Sequence, residues 1–108
     1  MESYYSPEDL PRMGEIGEHA QSLYQDFDRW YNNVLAEGAL PKKTKHLIAM
    51  AVAHALQCPY CIDAHTVGSK NAGASMEEIT EALHVAAAIR GGAALVHGVQ
   101  SLNALERE

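Results

Sequence analysis

From about Glu15 onward, apolar residues recur at steps of three and four. Ile16, Ala20, Leu23, Phe27, Trp30, Tyr31, Val34 and Leu35 share one face of a predicted helix, with Gly38 as its stop. Pro41 suits the first turn of a second helix. The run "HLIAMAVAHAL" that follows is apolar nearly all round, which predicts a central, buried helix. A third helix is expected to start near Pro59 and end at Gly73. Ser75 and Glu78 have capping-box spacing and open a fourth, through Ile79, Leu83, Ala86 and Ile89. Gly91 and Gly92 are expected to break or kink it, and a fifth helix then carries Leu95, Val99, Leu102 and Leu105. Ahead of these elements, residues 1–14 read as an arm in which Pro7, Pro11 and Gly14 oppose regular structure. No stretch alternates as a strand does, and nothing repeats. The pattern predicts one all-α domain over residues 1–108, with about five helices.

Charge and size change this picture in two ways. A formal net charge of -6 argues against nucleic acid and against an anionic membrane surface. A chain of 108 residues builds only a thin core, so contacts between subunits are expected to help. The start, "MESYYSPEDLPRM", has neither a basic opening nor a long apolar run, so no signal peptide is read. No stretch is read as reaching the roughly 18 apolar residues of a membrane span. A cytoplasmic, reducing location is the resulting expectation.

In such a compartment, the two cysteines matter most. Cys58 and Cys61 stand three apart in "HALQCPYCIDAHT", and His65 follows. Redox or metal chemistry is the usual use of such a pair where thiols stay reduced. Pro59 favours the first helical position, which puts Cys58 at the N-cap and Cys61 in the first turn. Unpaired N–H groups and the positive end of the helix dipole would stabilise a thiolate there. His65 lies one turn beyond Cys61, where an imidazole can take or relay a proton. The dipole alone favours Cys58 as nucleophile, whereas the nearby base favours Cys61. The balance falls to Cys61, with Cys58 as the resolving thiol.

The segment "CPYCIDAH" resembles the C-x-x-C-x-x-x-H motif of the alkylhydroperoxidase D-like (AhpD-like) family, within the carboxymuconolactone decarboxylase superfamily. The resemblance runs through "KHLIAMAVAHALQCPYCIDAHTVGSKNAGASMEEITEALHVAAAIRGG". The outer stretches "YYSPEDLPRMGEIG" and "ALVHGVQ" are similar to an arsenosugar biosynthesis-associated, peroxidase-like subgroup. The resemblance implies an AhpD-like helical domain, assembled as a homo-trimer or homo-hexamer. It implies reduction of hydroperoxides through a Cys58–Cys61 disulfide, with Cys61 as the peroxidatic cysteine. No cofactor is implied, and electrons return from a dithiol or thioredoxin-like reductant. The family motif carries a glutamate twelve residues before its first cysteine, in the proton relay; here that position is His46. A neutral imidazole accepts a proton, but it supplies no standing negative charge.

Other uses of the same residues stand beside this one. Two buried cysteines can be plain packing groups. Cys58, Cys61 and His65, completed by His54 or by a neighbouring subunit, could hold zinc in a non-enzymatic helical subunit. A lactone decarboxylase of the same superfamily is a further reading, though that chemistry has no call for paired thiols. His54 is expected to line the cysteine pocket or pack in the core, and Tyr60 to shape the pocket. Asp63 should face outward, and Trp30 and Tyr31 should pack in the core or at an interface. His84 and His97 are given no chemistry.

Overall fold

The computed structural model describes residues 4–108. A 3-10 helix at Pro7–Arg12 runs into α1 (Met13–Ile16). Then follow α2 (Gln21–Leu35), α3 (Lys42–Leu56), α4 (Pro59–Asn71), α5 (Met76–Val96) and α6 (Gly98–Glu106). No strand occurs among the described residues, so the expected all-α class holds.

α3 lies at the centre, packed against α4 on one side and α5 on the other. Met50, Ala53 and Ala86 are the buried apolar residues of this core. Lys43 and Glu78 join the starts of α3 and α5 at 2.9 Å, and the Arg90 guanidinium donates to the Ala55 carbonyl at 3.0 Å. Both ends of the α3–α5 pair are thereby tied. α2 touches α3 only sparsely.

The local signals placed the starts of α4 and α5 well. Ser75 accepts from the Glu78 amide, and the Glu78 carboxylate accepts from the Ser75 amide, closing the capping box. At the end of α4, Gly73 takes a φ of +97°, a left-handed cap that suits glycine.

Four expectations need correction. The arm is not irregular throughout, because proline's fixed φ near −65° fits a 3-10 helix, and Pro7 and Pro11 both lie inside one; residues 1–3 of the arm lie outside the described residues. The helix expected from Glu15 is split at residues 17–20, where the Tyr24 ring fills the space beside Gly17 that a side chain would need. It ends at Leu35, three residues before Gly38. Gly91 and Gly92 do not end α5, which runs through them to Val96; the turn falls at His97, whose ring bonds the Ala93 carbonyl at 2.6 Å. Glycine costs only about 1 kcal/mol inside a helix, too little by itself to end one.

The fourth correction concerns apolar length. Met76–Glu106 is long and apolar enough to cross a membrane by length and composition, with a mean hydropathy of 1.3 over an 18-residue stretch. Its alanines, valines, isoleucines and leucines raise the average without forming an unbroken apolar block. Val85, Ile89, Leu95, Val99, Leu102 and Leu105 are all at least half exposed on the single chain.

Candidate functional site

Gln57 makes the link between α3 and α4, in a left-handed conformation with φ 56° and ψ 50°. The chain reverses there, and Cys58 becomes the N-cap of α4 with Pro59 at its first position, as the spacing predicts. The Cys58 sulfur accepts from the Cys61 amide at 3.4 Å. Both cysteines are free and half-buried. His65, one turn further on, is buried.

The partner of His65 comes from a distant part of the chain. Tyr31, on α2, places its hydroxyl in hydrogen-bond contact with His65 Nε2. The two rings lie 5.9 Å apart, and on the other side the His46 ring lies 5.8 Å from that of His65. The Nδ1 atoms of both histidines are buried without a hydrogen-bond partner among the described residues. Gly68 makes room for His46: a Cβ there would lie 2.6 Å from His46 Nδ1. His46 thus sits beside His65, where the sequence register put the relay residue. Among the described residues no hydrogen bond joins Cys61 to His65; the neighbour of the Cys61 thiol is Cys58.

Burial sets the protonation of this group. The Cys61 thiol is pushed up to about 11, first by burial and then by the Cys58 thiol beside it. The expectation of a dipole-stabilised thiolate is therefore corrected: at neutral pH, Cys61 rests as a thiol. Burial, with Lys42 nearby, lowers His46 below 6.5, and burial, with His46 nearby, lowers His65. Both imidazoles are neutral at pH 7 and able to accept a proton. Burial raises Tyr31, and negative charge on Cys61 or Cys58 raises it further, so the phenol keeps its proton.

These shifts fix a pH dependence of stability. In the unfolded chain histidines titrate near 6.5, above their folded values, so below about 6.5 the unfolded state binds more protons. Stability is fully present above that pH and is lost as pH falls through the lowered values. The melting temperature should fall as pH drops below about 6.5, and a His46→Gln variant should show a weaker dependence. Equal pH dependence of the two melting curves would contradict this assignment.

Cys61 and His65 form the floor of an apolar groove of about 730 Å³ between α2 and α3, walled by Phe27, Trp30, Val34, Ile48, Val52 and Leu56. Lys45 is the one lysine or arginine along it, and its Nζ donates to the Ala36 carbonyl at 2.6 Å. His54 is turned elsewhere. Its Nδ1 is paired with the Met50 carbonyl at 2.9 Å, and it lines a second cavity with Gln57, Leu83 and Arg90. It therefore neither shares the cysteine pocket nor completes a zinc set with Cys58, Cys61 and His65, and among the described residues no three metal-ligating side chains converge. Tyr60 packs edge-on against Tyr5, with ring centroids 5.5 Å apart, and does not line the groove. Asp63 is exposed, as its spacing predicts.

A helical chain that opens a core-packed helix with paired thiols belongs to a narrow class of folds. The family model for the carboxymuconolactone decarboxylase family matches residues 21–104, and the chain belongs to that family. Over 100 residues it is 43% identical to "Uncharacterized protein 4 in cox locus" of Paracoccus denitrificans, covering 93% of this chain and 90% of that protein. It is similar in structure to a carboxymuconolactone decarboxylase family protein from Legionella pneumophila, crystallised in its apo form. The TM-score is 0.72 at 34% identity, over 93% of this chain and 89% of the other. The AhpD-like resemblance agrees with both the family and the fold.

Tyr31 is the site residue that sequence reasoning missed. It lies 34 positions from His65, on a helix face whose other members are packing groups. Only the folded placement of α2 beside the groove brings the two together.

Proposed function

We propose that this protein is a dithiol peroxidase that reduces hydroperoxides through a Cys58–Cys61 disulfide. The observation that carries this reading is a thiol pair at a helix start, of which Cys61 shares the groove with a neutral His65 held by Tyr31. Cys61 gives its proton to His65, directly or through the Tyr31 hydroxyl, and the thiolate attacks one peroxide oxygen. The O–O bond breaks, and the departing alkoxide or hydroxide recovers the proton from His65 and leaves as alcohol or water. Cys61 is then a sulfenic acid. The Cys58 thiol attacks its sulfur and releases water, which leaves the disulfide. A dithiol or thioredoxin-like donor of two electrons restores both thiols. His46, beside His65, serves as an outer proton acceptor.

The decarboxylase reading fits the groove less well. A carboxylated lactone calls for cationic groups, and the single lysine along this groove is already bonded to a backbone carbonyl.

Thiol titration tests the proposal. One equivalent of cumene hydroperoxide should consume two thiols per chain, and peptide mapping should find Cys58 joined to Cys61 within one chain. Two intact thiols after treatment, or sulfinic acid at Cys61 beside an untouched Cys58, would rule out the two-cysteine cycle.

A further inference from the structure

In a chain of 14 acidic and 8 basic side chains, Arg90 has no carboxylate partner among the described residues. Arg12 and Arg29 each pair with an acid one turn away, and Lys43 pairs with Glu78. Arg90 instead reaches from α5 to the Ala55 carbonyl near the end of α3, at 3.0 Å. That bond anchors the side chain and uses one of the five N–H donors of a guanidinium.

Arg90 lines the second cavity, of about 370 Å³, with His54, Gln57, Leu83, Ala86 and Ala87. That volume suits a small ligand, and no Asp or Glu lines the space. His54 gives its Nδ1–H to the Met50 carbonyl, so the neutral ring keeps Nε2 as an acceptor. Neither that nitrogen nor the Gln57 amide has a hydrogen bond among the described residues. The cavity thus offers cationic donors, one acceptor, an adaptable amide and an apolar wall of Leu83, Ala86 and Ala87.

We propose that this cavity binds a small α-hydroxy carboxylate with a short alkyl tail. The carboxylate takes the remaining N–H donors of Arg90, the hydroxyl donates to His54 Nε2, and the tail lies along the apolar wall. The Gln57 amide serves either polar end. A plain alkanoate leaves the His54 acceptor unmatched, and inorganic phosphate leaves the apolar wall unused. An α-amino acid also brings a donor, but it sets an ammonium charge close to Arg90. Neither cysteine lines this cavity, so the site is separate from the dithiol groove and independent of the peroxidase reading. Gln57 directly precedes Cys58, so the ligand touches the loop that carries that thiol.

Titration of the full reduced chain with α-hydroxyisocaproate, followed by calorimetry and ligand-observed NMR in phosphate-free buffer above the histidine range, tests the proposal. The net charge of -6 repels anions at long range, so a dissociation constant on the order of 1 mM is expected for so small a ligand. Isocaproate, which lacks the hydroxyl, should bind several-fold more weakly, and α-hydroxyisocaproamide, which lacks the charge, about 10-fold more weakly. Two variants locate the site, each checked for fold by circular dichroism. Gln57→Gly removes the amide at a backbone position with φ 56°, which glycine adopts readily, and should weaken binding several-fold. Arg90→Lys keeps the charge but not the planar fork, and should weaken it about 10-fold. The absence of saturable binding in the millimolar range overturns the proposal. So does isocaproate or inorganic phosphate binding as well as the hydroxy acid, or undiminished affinity in both folded variants.

Discussion

Replacing Cys61 by serine should reduce peroxide turnover to the uncatalysed rate, while Cys58→Ser should still react once per chain and then stop. A serine hydroxyl remains protonated and is a poor nucleophile toward peroxide, so no neighbouring group restores the attack. Cys58→Ser keeps the attacking thiol but leaves the sulfenic acid with no resolving partner, so it should accumulate and pass on to sulfinic acid under excess oxidant. Cys58 also caps α4 through the Cys61 amide, and serine is a good N-cap, so this variant should keep its fold. Stopped-flow peroxide consumption with mass analysis of position 61 separates the two. An equal first-turnover burst of peroxide consumption in the two variants would place the chemistry elsewhere.

The second large effect should come from Tyr31→Phe. The phenyl ring keeps the aromatic packing against Phe27, whose ring lies 5.6 Å away, and removes only the hydroxyl on His65. An acid–base group contributes about 10²–10⁴-fold, and a residue acting through another should lie near the low end, so a loss of about 10²-fold is expected. The pH profile gives a readout that packing would not move. In the parent protein the acid limb should fall below 6.5, because burial and His46 lower His65. Loss of the hydroxyl that stabilises the neutral imidazole should shift that limb upward. On the alkaline side the rate should keep rising toward the value of about 11 to which Cys61 is pushed. A Phe variant with the parent rate and the parent acid limb would reduce Tyr31 to a packing residue.

What the sequence made legible here was local. Cys58, Pro59 and Cys61 define a helix start within four residues, and Ser75 with Glu78 define another, because capping is settled by near neighbours. The place of His46 beside His65 was legible only through the family register. What the sequence did not make legible depends on other elements. The break at residues 17–20 goes with the Tyr24 ring beside Gly17, and α5 continues across Gly91 and Gly92, just past its tie to α3 at Arg90. The resting state of Cys61 was misjudged for the same reason. A helix start favours the thiolate, but the desolvation that outweighs it comes from packing that spacing cannot report.

Gly68 gives the site a mechanical property. The His46 imidazole occupies the space of the missing side chain, so α3 and α4 are keyed together one turn below His65. A key of this kind resists sliding and rotation by shape, and it needs no hydrogen bond from His46 Nδ1, which has none among the described residues. In the proposed cycle, joining the thiols should move only the first turn of α4, ahead of the keyed crossing. The histidine pair should then stay in register through that cycle, with the helix start alone absorbing the change of shape.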